Sequence, residues 1–390
     1  MGCFLGGSFV YQAKICLRYE QDFRNDKEQK VRSTLSSSLP EMTISIVVPV
    51  YNGGEAFHQC LISLAALQPP PMEIIVVADG DSDGSWQVAE QFGVEVIRLP
   101  ITSGGPAHPR NVGALQAKGE YLFFVDADVC VHPDTLGQVA ETFHNNPGLA
   151  ALIGSYDDTP AEQNFLSQYK NLFHHYVHQK AQREASTFWG ACGAIRRDIF
   201  LEIGGFDEKY RRPSIEDIEL GYRLKKTGRQ ILLCKDIHVK HLKRWSIGSM
   251  LKADFFYRAI PWTELILRDR RFTNDLNIRH SERLCVVLMY GLVGALMGAI
   301  WWLPSLTVAA MIMVSLVIIN APLYRFFLKK RGLRFALQSV PWHWLYYLYS
   351  GLAFAIGLAR HVFYGDNRKE STMRALVPQS FDIKRRSGRQ

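Results

Sequence analysis

The sequence has few cysteines and none of the spacings in which cysteines usually act together. Its 390 residues include seven cysteines, with no Cys-x-x-Cys pair and no Cys/His metal-ligand spacing; they lie at positions 3, 16, 60, 130, 192, 234 and 285. Disulfide scaffolds and zinc modules depend on such spacings, so the sequence argues against both classes. Scattered thiols of this kind indicate a reducing, cytosolic compartment.

Targeting patterns are also missing from the start of the chain. Gly2 follows the initiator Met, but position 6 is Gly, where the myristoylation pattern requires Ser or Thr. The apolar portion of this region is too short for a signal-peptide core with a cleavage site. Residues 20–38 are polar, so we interpret residues 1–40 as an N-terminal extension or arm.

Charge is absent from three late segments. Leu284–Leu303, Leu306–Tyr324 and Val340–Ala359 contain no Asp, Glu, Lys or Arg. At a rise of about 1.5 Å per residue, each helix would approach the roughly 30 Å needed to cross a bilayer. We therefore predict a membrane domain of two to three hydrophobic helices over residues 276–365 and a basic tail over residues 366–390. The net charge of +8 is moderate, and we expect no nucleic-acid partner.

Basic residues predict how these segments are oriented. Arginines precede the first segment, and a second basic group follows the second segment; they are Arg268, Arg270, Arg271, Arg279 and Arg283, then Arg325, Lys329, Lys330, Arg331 and Arg334. Positive residues favour the cytoplasmic side, so we expect the N-terminal domain to face the cytoplasm from the inner membrane. Only Pro304-Ser305 separates the first two segments, so we expect these segments to form a hairpin. Val340–Ala359 either crosses fully or is re-entrant or interfacial.

Strands alternate with helices from Thr43 onward. We predict strands at Ile44–Val50, Glu73–Ala78, Val94–Leu99 and Tyr121–Val125, with helices at Glu55–Leu67, Ser85–Phe92 and Arg110–Lys118. This alternation predicts an α/β, doubly wound and mostly parallel sheet. Ligands of such sheets bind at the carboxyl ends of the strands, where Asn52, Asp79 and Asp126 fall.

Asp126 and Asp128 form the most distinctive of these strand ends. Alternate strand residues share a face, so the two carboxylates point the same way. A hard divalent cation such as Mg²⁺ or Mn²⁺ would relieve their repulsion. The alternative is that both acids cap a helix beginning near His132-Pro133-Asp134. The agreement of three strand ends favours a binding site, because capping does not require it.

Five motifs, in order, carry a family resemblance. They are SIVVPVYNGG (45–54), VADGDSDGS (77–85), GPAHPRNVGALQAKGEYLFFVDADV (105–129), GGFDE (204–208) and IEDIELGYRLKKTG (215–228). From about Ile44 to Trp262 the chain resembles family 2 glycosyltransferases of the GT-A fold. The resemblance implies a Rossmann-like GT-A domain over residues 41–275, followed by transmembrane helices.

The resemblance also implies a nucleotide-diphosphate sugar donor and a set of residues that bind it. Asp79 and the backbone of Pro49 and Tyr51 would contact the base, although Ala78 and Asp81 depart from the family's usual residues. Asp126 would face the ribose. Other residues expected at the donor are Asn52, Arg110, Trp189 and Gly190, the last two at the donor sugar or on the acceptor side.

A metal ion and a positively charged side chain are expected at the diphosphate. By resemblance, Asp128 would hold Mn²⁺ or Mg²⁺ bridging both phosphates, and His241 would be a further metal contact. His238 competes with His241 for this role. Arg110 is the candidate cation, since its fork can bind phosphate oxygens. The alternative for Arg110 is a surface position on its helix.

Asp217 is the expected catalytic base. It lies near the start of an amphipathic helix, where the dipole favours an ionised carboxylate, and it could equally serve only to stabilise that helix. The resemblance places the family's catalytic aspartate here and implies one-step inversion, with Glu216 contacting the acceptor or orienting Asp217. Arg244 and Trp245 are expected on the acceptor side.

Trp245–Arg271 mixes aromatic, apolar and basic residues, which is typical of a helix in the bilayer interface. It could instead pack on the catalytic domain. The resemblance implies metal-dependent, inverting sugar transfer, and this segment beside the expected base favours a lipid or lipid-linked acceptor. A processive polysaccharide synthase is the second hypothesis, weakened because His241 stands where its Gln-x-x-Arg-Trp motif begins. A non-catalytic nucleotide-sugar-binding membrane protein is the third.

Overall fold

The computed structural model describes residues 42–270 and 274–364. An eight-stranded sheet forms its centre, with the order β3-β2-β1-β4-β7-β6-β8-β5. The strands are β1 Ile44–Val50, β2 Glu73–Asp79, β3 Glu95–Leu99, β4 Tyr121–Val125, β5 Val129–Val131, β6 Ala151–Tyr156, β7 Cys192–Arg196 and β8 Ile231–His241. The predicted extension at 1–40 and tail at 366–390 lie outside the described residues.

The sheet is parallel in its first half and mixed in its second. β3, β2, β1 and β4 run parallel, as the βα alternation predicts. β7 then runs antiparallel to both β4 and β6, while β6 and β8 are parallel and β5 is antiparallel to β8. Six of the eight strands therefore run in the same direction, so the sheet is mostly parallel as predicted, and β7 and β5 are the two reversed strands.

Helices cover both faces of the sheet. They are α1 Gly54–Ala65, α2 Ser85–Gln91, α3 Ala107–Gln116, α4 Thr135–Asn145, α5 Phe165–Lys180, α6 Arg197–Glu202 and α7 Glu216–Lys226. All seven residues of β1 are buried, as expected for a strand covered on both sides. Phe124 of β4 packs against Phe188, Phe200 and Phe206 and so anchors β4 in the core.

The predicted interfacial segment is a broken helix. It consists of α8 Ile247–Lys252, a π-helix at Ala253–Ala259 and α9 Ile260–Asp269. α9 packs on a later helix so closely that a Cβ on Gly357 would lie 2.7 Å from Thr263 Cγ2. Ile247 and Phe256 are 54% and 59% exposed. The segment therefore packs on the protein and also presents apolar side chains outward.

The last three helices are α10 His280–Gly298, α11 Ser305–Ile319 and α12 Ala321–Tyr364, which is interrupted at Gly332 with φ of 82°. α10 and α11 form a hairpin in which Ser305 Oγ donates to Ala295 O over 2.9 Å. Within the described residues, one helix, α10, is long and apolar enough to cross a membrane. α11 and α12 are long and apolar enough only when they are taken together, as a pair that is bent by 60°. The charge-free run Leu306–Tyr324 is thus divided between two helices that meet at Asn320.

Candidate active site

The carboxyl ends of β2, β1 and β4 form one edge of the sheet. The three strands are adjacent and parallel, with Val50 opposite Ala78 and Val47 opposite Phe124. Asn52, Asp79 and Asp126 follow or end these strands, so they lie along the same edge, as the sequence predicts.

Asp79 binds the loop that follows β3. It is 4% exposed, and its Oδ1 accepts from Ser103 N over 2.8 Å, while Oδ2 accepts from Ser103 Oγ and Thr102 Oγ1 over 2.8 and 3.1 Å. Burial of a carboxylate requires such compensation. The structure thus shows that Asp79 orders the loop after β3, and a contact with the donor base stays a prediction.

The turn after β1 is held by the turn after β2. Asn52 has φ of 50°, and its Oδ1 accepts from Ser82 N over 2.8 Å. Pro49 lies within β1 opposite Val77, whereas Tyr51 is exposed just beyond the strand. Tyr51 is therefore accessible to a ligand, and Pro49 offers its backbone only.

The alternative that Asp126 and Asp128 cap the following helix is wrong. The short strand β5 separates them from α4. The residue that precedes α4 is Asp134, and its side chain makes no capping hydrogen bond. Asp126 is instead paired with a buried arginine, and Asp128 faces a histidine.

Arg110 bridges two carboxylates in the interior. Its Nη2 lies 2.6 Å from Asp126 Oδ1 and its Nη1 lies 2.9 Å from Glu216 Oε1, while the residue is only 2% exposed. Burial would lower the pKa of Arg110, but the nearby carboxylates outweigh burial and raise it. The alternative of a surface position is therefore wrong. Binding of a phosphate by Arg110 would require one of these ion pairs to open.

Arg110 and Asn111 explain why two distant motifs occur together. Asn111 Nδ2 donates to Phe206 O over 2.9 Å, and Asn111 Oδ1 accepts from Phe206 N over 2.8 Å. The Phe206 ring lies 5.2 Å from the Arg110 guanidinium carbon. The GGFDE motif thus fixes the helix that carries Arg110.

Asp217 lies beside this ion-pair cluster at the start of α7. Its Oδ2 accepts from Gly190 N over 3.1 Å, and its Oδ1 accepts from Ile218 N over 2.8 Å. Burial, and then the charge of Glu216, raise the pKa of Asp217 to about 6, although Arg110 opposes them. A carboxylate with this pKa can take up a proton near neutral pH.

Glycine at position 190 makes room for this arrangement. A Cβ on Gly190 would lie 2.7 Å from the guanidinium carbon of Arg110. The backbone N–H of Gly190 also donates to Asp217 and so orients it. The predicted site residues Gly190, Arg110 and Asp217 therefore meet in one place, together with Glu216 and Asp126.

Asp128 and His241 form a second group at the same edge. His241 ends β8 opposite Val129, and its Nε2 lies 3.6 Å from Asp128 Oδ2. Burial would raise the pKa of Asp128, but His241 and then Lys243 outweigh it and lower the pKa to about 2. The ionised carboxylate, which these cations favour, is the form that binds a metal.

Asn171 of α5 sets the orientation of His241. Asn171 Oδ1 lies 2.9 Å from His241 Nδ1 and accepts a hydrogen bond from it, which leaves His241 Nε2 on the side of Asp128. Tyr156 stacks on the imidazole with ring centres 4.4 Å apart. His238, the competing residue, contacts Gln179 Nε2 instead at 3.3 Å.

The side chains of Asp128 and His241 provide part of the set of ligands that a hard divalent ion needs. A carboxylate and an imidazole held by a partner hydrogen bond are suitable ligands, and Mn²⁺ or Mg²⁺ usually completes its shell with substrate phosphates and water. No group of three His, Cys, Asp or Glu residues that could hold a metal occurs among the described residues. Any metal here would therefore need phosphate oxygens of a bound nucleotide sugar to complete its coordination.

Trp189 lies in an aromatic cluster next to Gly190. Its ring centre is 4.8 Å from that of Tyr156, 5.0 Å from His174 and 5.4 Å from His178. The cluster links Trp189 to His241 through Tyr156. Trp189 is therefore placed between the two groups of charged residues.

The two predicted acceptor residues differ in position. Arg244 is exposed, with Nη1 3.6 Å from Glu162 Oε2. Trp245 is 5% exposed and packs against Leu166 and Met250, so its ring is not offered to an acceptor in this conformation. Lys243, between His241 and these residues, is half-exposed with Nζ 3.9 Å from Asp128 Oδ2.

Several residues of the site escaped sequence reasoning. Asn171, Tyr156 and His174 lie outside the motifs, and only the spacing of Asn171, His174 and His178 on one face of α5 could have indicated a shared role. Phe206 was inside a motif but had no evident partner. Tertiary contacts alone reveal these roles.

Comparison with known proteins identifies the domain. Residues 45–204 match the model of glycosyl transferase family 2. The chain is 37% identical over 105 residues to the poly(ribitol-phosphate) beta-N-acetylglucosaminyltransferase TarS of Staphylococcus aureus, covering 25% of this chain and 18% of TarS. It is 25% identical over 219 residues to a glucosyl-dolichyl phosphate glucuronosyltransferase of Haloferax volcanii, covering 51% of this chain and 69% of that protein. The chain therefore carries a family 2 glycosyltransferase domain, and it spans less than a fifth of the length of TarS.

A solved structure agrees with the fold. The mannosyltransferase PcManGT from Pyrobaculum calidifontis, in complex with GDP-Man and Mn²⁺, superposes with a TM-score of 0.50 at 14% identity, covering 89% of this chain and 95% of that chain. At this identity the likeness shows the fold alone. The mixed α/β sheet is of the GT-A type.

Proposed function

We propose that this protein is a metal-dependent, inverting glycosyltransferase that moves a sugar from a nucleotide-diphosphate donor to a lipid or lipid-linked acceptor. The observation that carries the proposal is the meeting of Asp217, Glu216, Arg110 and Asp126 at the sheet edge that also holds Asp128 and His241. The family 2 domain supports the reaction type.

In the proposed reaction the acceptor hydroxyl attacks the anomeric carbon as the bond from that carbon to the diphosphate breaks. Asp217 takes the hydroxyl proton, which its raised pKa allows. Arg110 holds Glu216 in place beside Asp217. The carbon is inverted because one displacement occurs.

Negative charge develops on the leaving diphosphate. Asp128 and His241 would hold a divalent ion that supplies compensating positive charge at this place. Lys243 adds a second, half-exposed cation near Asp128. Charges fixed before the bond breaks stabilise the transition state most effectively.

The membrane location is a further part of the proposal. Val287, Ile300 and Trp301 of the α10–α11 region are among its exposed apolar side chains, and such surfaces fit contact with lipid. Basic residues 268–283 favour the cytoplasmic face for the catalytic domain. Confinement to one surface raises the effective concentration of a lipid acceptor.

Washed membranes from cells that produce the protein, supplied with labelled nucleotide sugars and Mn²⁺, test the proposal. We expect label in the organic-solvent extract, and no label with Asp217→Asn. Label only in a water-soluble product would contradict a lipid acceptor. Long polymeric products would favour the processive hypothesis, and donor binding without transfer would favour a binding protein.

A further inference from the structure

Helix α5 lies between the sheet and the C-terminal helices. In its second half, His175 Nδ1 lies 2.7 Å from Tyr156 O, so this half is bonded to β6. Asn171, near the middle of the helix, contacts His241 at the end of β8. α5 therefore carries the residue that orients the histidine of the proposed metal site.

The two residues just before Asn171 contact elements that follow the sheet in the chain. Tyr169 Oη lies 3.0 Å from His343 Nδ1 of α12. Lys170 Nζ donates to both carboxylate oxygens of Asp254, in the π-helix, over 2.6 Å. Successive residues of α5 are thus bonded to two different later elements and then to the sheet.

His343 is the middle member of a chain of hydrogen bonds among the C-terminal helices. It is fully buried, and its Nε2 lies 3.0 Å from Tyr347 Oη. Tyr347 Oη lies 2.8 Å from Asn320 Oδ1 and 3.0 Å from Glu282 Oε2. Glu282 belongs to α10, and Asn320 lies at the bend between α11 and α12. The chain therefore joins α5 to all three C-terminal helices.

The contact between Tyr169 and His343 has no replacement in solvent. Tyr169 is 3% exposed, and His343 is not exposed at all. Removing one member of such a pair leaves a buried polar atom without a partner, which is unfavourable. We therefore expect the helices to move relative to each other when this contact is lost.

A movement at Tyr169 reaches Asn171 because both residues belong to the same turn of α5. At a rise of about 1.5 Å per residue they are only about 3 Å apart along the helix axis, within one hydrogen-bonded turn. Asn171 is itself 3% exposed, so its side chain has little room to compensate. A shift of this turn therefore changes the contact of Asn171 with His241.

The pair formed by Asp128 and His241 tolerates little displacement. His241 Nε2 lies 3.6 Å from Asp128 Oδ2. Metal–ligand distances hold to within about 0.2 Å, so a small movement of the imidazole is enough to weaken metal binding.

We propose that Tyr169 and His343 are positioning residues for the metal site, and that the C-terminal helices set the orientation of His241 through α5 and Asn171. The inference rests on the proposed function for the role of the metal ion. It gives the C-terminal helices a role in the chemistry of the site besides attachment to a membrane.

Nuclear magnetic resonance of the full-length protein in phosphatidylcholine nanodiscs, with isotopically labelled histidine, tests the inference without a metal ion. The imidazole signals of His241 are identified by their loss in His241→Gln. We expect Tyr169→Phe to shift or broaden these signals. His343→Leu should do the same, whereas His343→Asn, whose amide can still bond Tyr169, should keep most of the wild-type spectrum.

Mn²⁺ binding gives a second readout, measured in the presence of UDP or GDP, whichever the wild type binds. Tyr169→Phe should weaken Mn²⁺ binding at least about threefold, as expected for a residue that acts through a network of contacts. The double variant Tyr169→Phe/Asn171→Ala should bind Mn²⁺ like Asn171→Ala alone, because two changes that act through one contact are not additive.

Tyr290→Phe is the matched control. Tyr290 Oη donates to Leu348 O over 2.8 Å, so this change also removes a hydroxyl that joins two helices, α10 and α12, but at a hydrogen bond that does not involve α5. It should leave both the His241 signals and the Mn²⁺ affinity unchanged.

Three outcomes would overturn the inference: unchanged His241 signals in Tyr169→Phe, equal losses in Tyr169→Phe and Tyr290→Phe, or multiplied losses of Mn²⁺ affinity in the double variant. If Tyr169→Phe moves the His241 signals but the wild type binds no Mn²⁺, the positioning of His241 stands and the metal-dependent part of the proposed function fails. If the wild type binds Mn²⁺ and Tyr169→Phe binds it equally, the proposed function stands and the positioning role fails.

Discussion

Arg110 and Glu216 lie 106 positions apart in the chain and meet at 2.9 Å in the protein interior. Arg110 comes from α3 and Glu216 from the start of α7, and Asp126 at the end of β4 completes the bridge. One buried cation thus joins the edge formed by the carboxyl ends of β2, β1 and β4 to the helix that carries the proposed base. This bridge makes the site a single unit and not a row of separate acids.

Replacing Arg110 with Met should destabilise the protein strongly. The change leaves Asp126 and Glu216 without their cation, and breaking a buried ion pair typically costs about 3–5 kcal/mol. Lys118→Met is the control, because Lys118 is exposed and pairs with Glu73 at 3.7 Å, where about 0–1 kcal/mol is expected. Thermal unfolding of both variants in the same detergent measures the difference. Equal melting temperatures would show that the bridge contributes little.

Gly190→Ala should impair the same bridge from the opposite side. The added Cβ would meet the Arg110 guanidinium, which two ion pairs prevent from moving aside. Overpacking of this kind costs about 1–3 kcal/mol. Gly148→Ala is the matched control, since nothing lies within 4 Å of its added Cβ. Unfolding and donor binding should change in Gly190→Ala and stay close to wild type in Gly148→Ala.

The pH dependence of sugar transfer should report Asp217. Burial and Glu216 raise its pKa to about 6, so the carboxylate is the main form above pH 6 and the neutral acid below it. A base must be ionised to accept a proton, so kcat/KM should fall about tenfold per pH unit below 6 and level off above it.

Asp217→Asn should abolish turnover at every pH and still bind the donor, whereas Asp198→Asn, at an exposed position, should keep the wild-type profile. A flat profile between pH 5 and 7, or turnover by Asp217→Asn, would remove Asp217 from the mechanism.

The sequence predicted the first half of the fold well because its signals there are local. Ile44–Val50 and Tyr121–Val125 are short apolar runs bounded by turn residues, and each is a buried strand within a residue of its predicted limits. Strand ends follow directly from such runs, so the sequence alone assigns Asn52, Asp79 and Asp126 to one edge of the sheet.

Other features depended on tertiary contacts that no local pattern encodes. The reversed direction of β7 follows from its pairing with β4 and β6, and the sequence around Cys192–Arg196 has no signal for it. Arg110 matched a phosphate-binding pattern, yet burial by Gly190 and Phe206 and pairing with two acids decide its environment. The bend at Asn320 likewise divides a run that looks continuous in the sequence.

Asn171 supplies the sharpest test of the proposed metal site, because it contacts His241 and not the reacting groups. Removing its Oδ1 leaves His241 Nδ1–H without an acceptor and frees the ring to change tautomer or rotate. Loss of such a supporting hydrogen bond typically weakens metal binding about 10–100-fold. We therefore expect Asn171→Ala to weaken Mn²⁺ binding in the presence of a nucleoside diphosphate by about that factor, measured by electron paramagnetic resonance of free Mn²⁺.

Asn146→Ala, which also removes one side-chain hydrogen bond but at an exposed helix end, should leave Mn²⁺ binding unchanged. If both variants bind Mn²⁺ like the wild type, His241 does not act as a ligand oriented by Asn171, and Asp128 would have to hold the ion with donor oxygens alone.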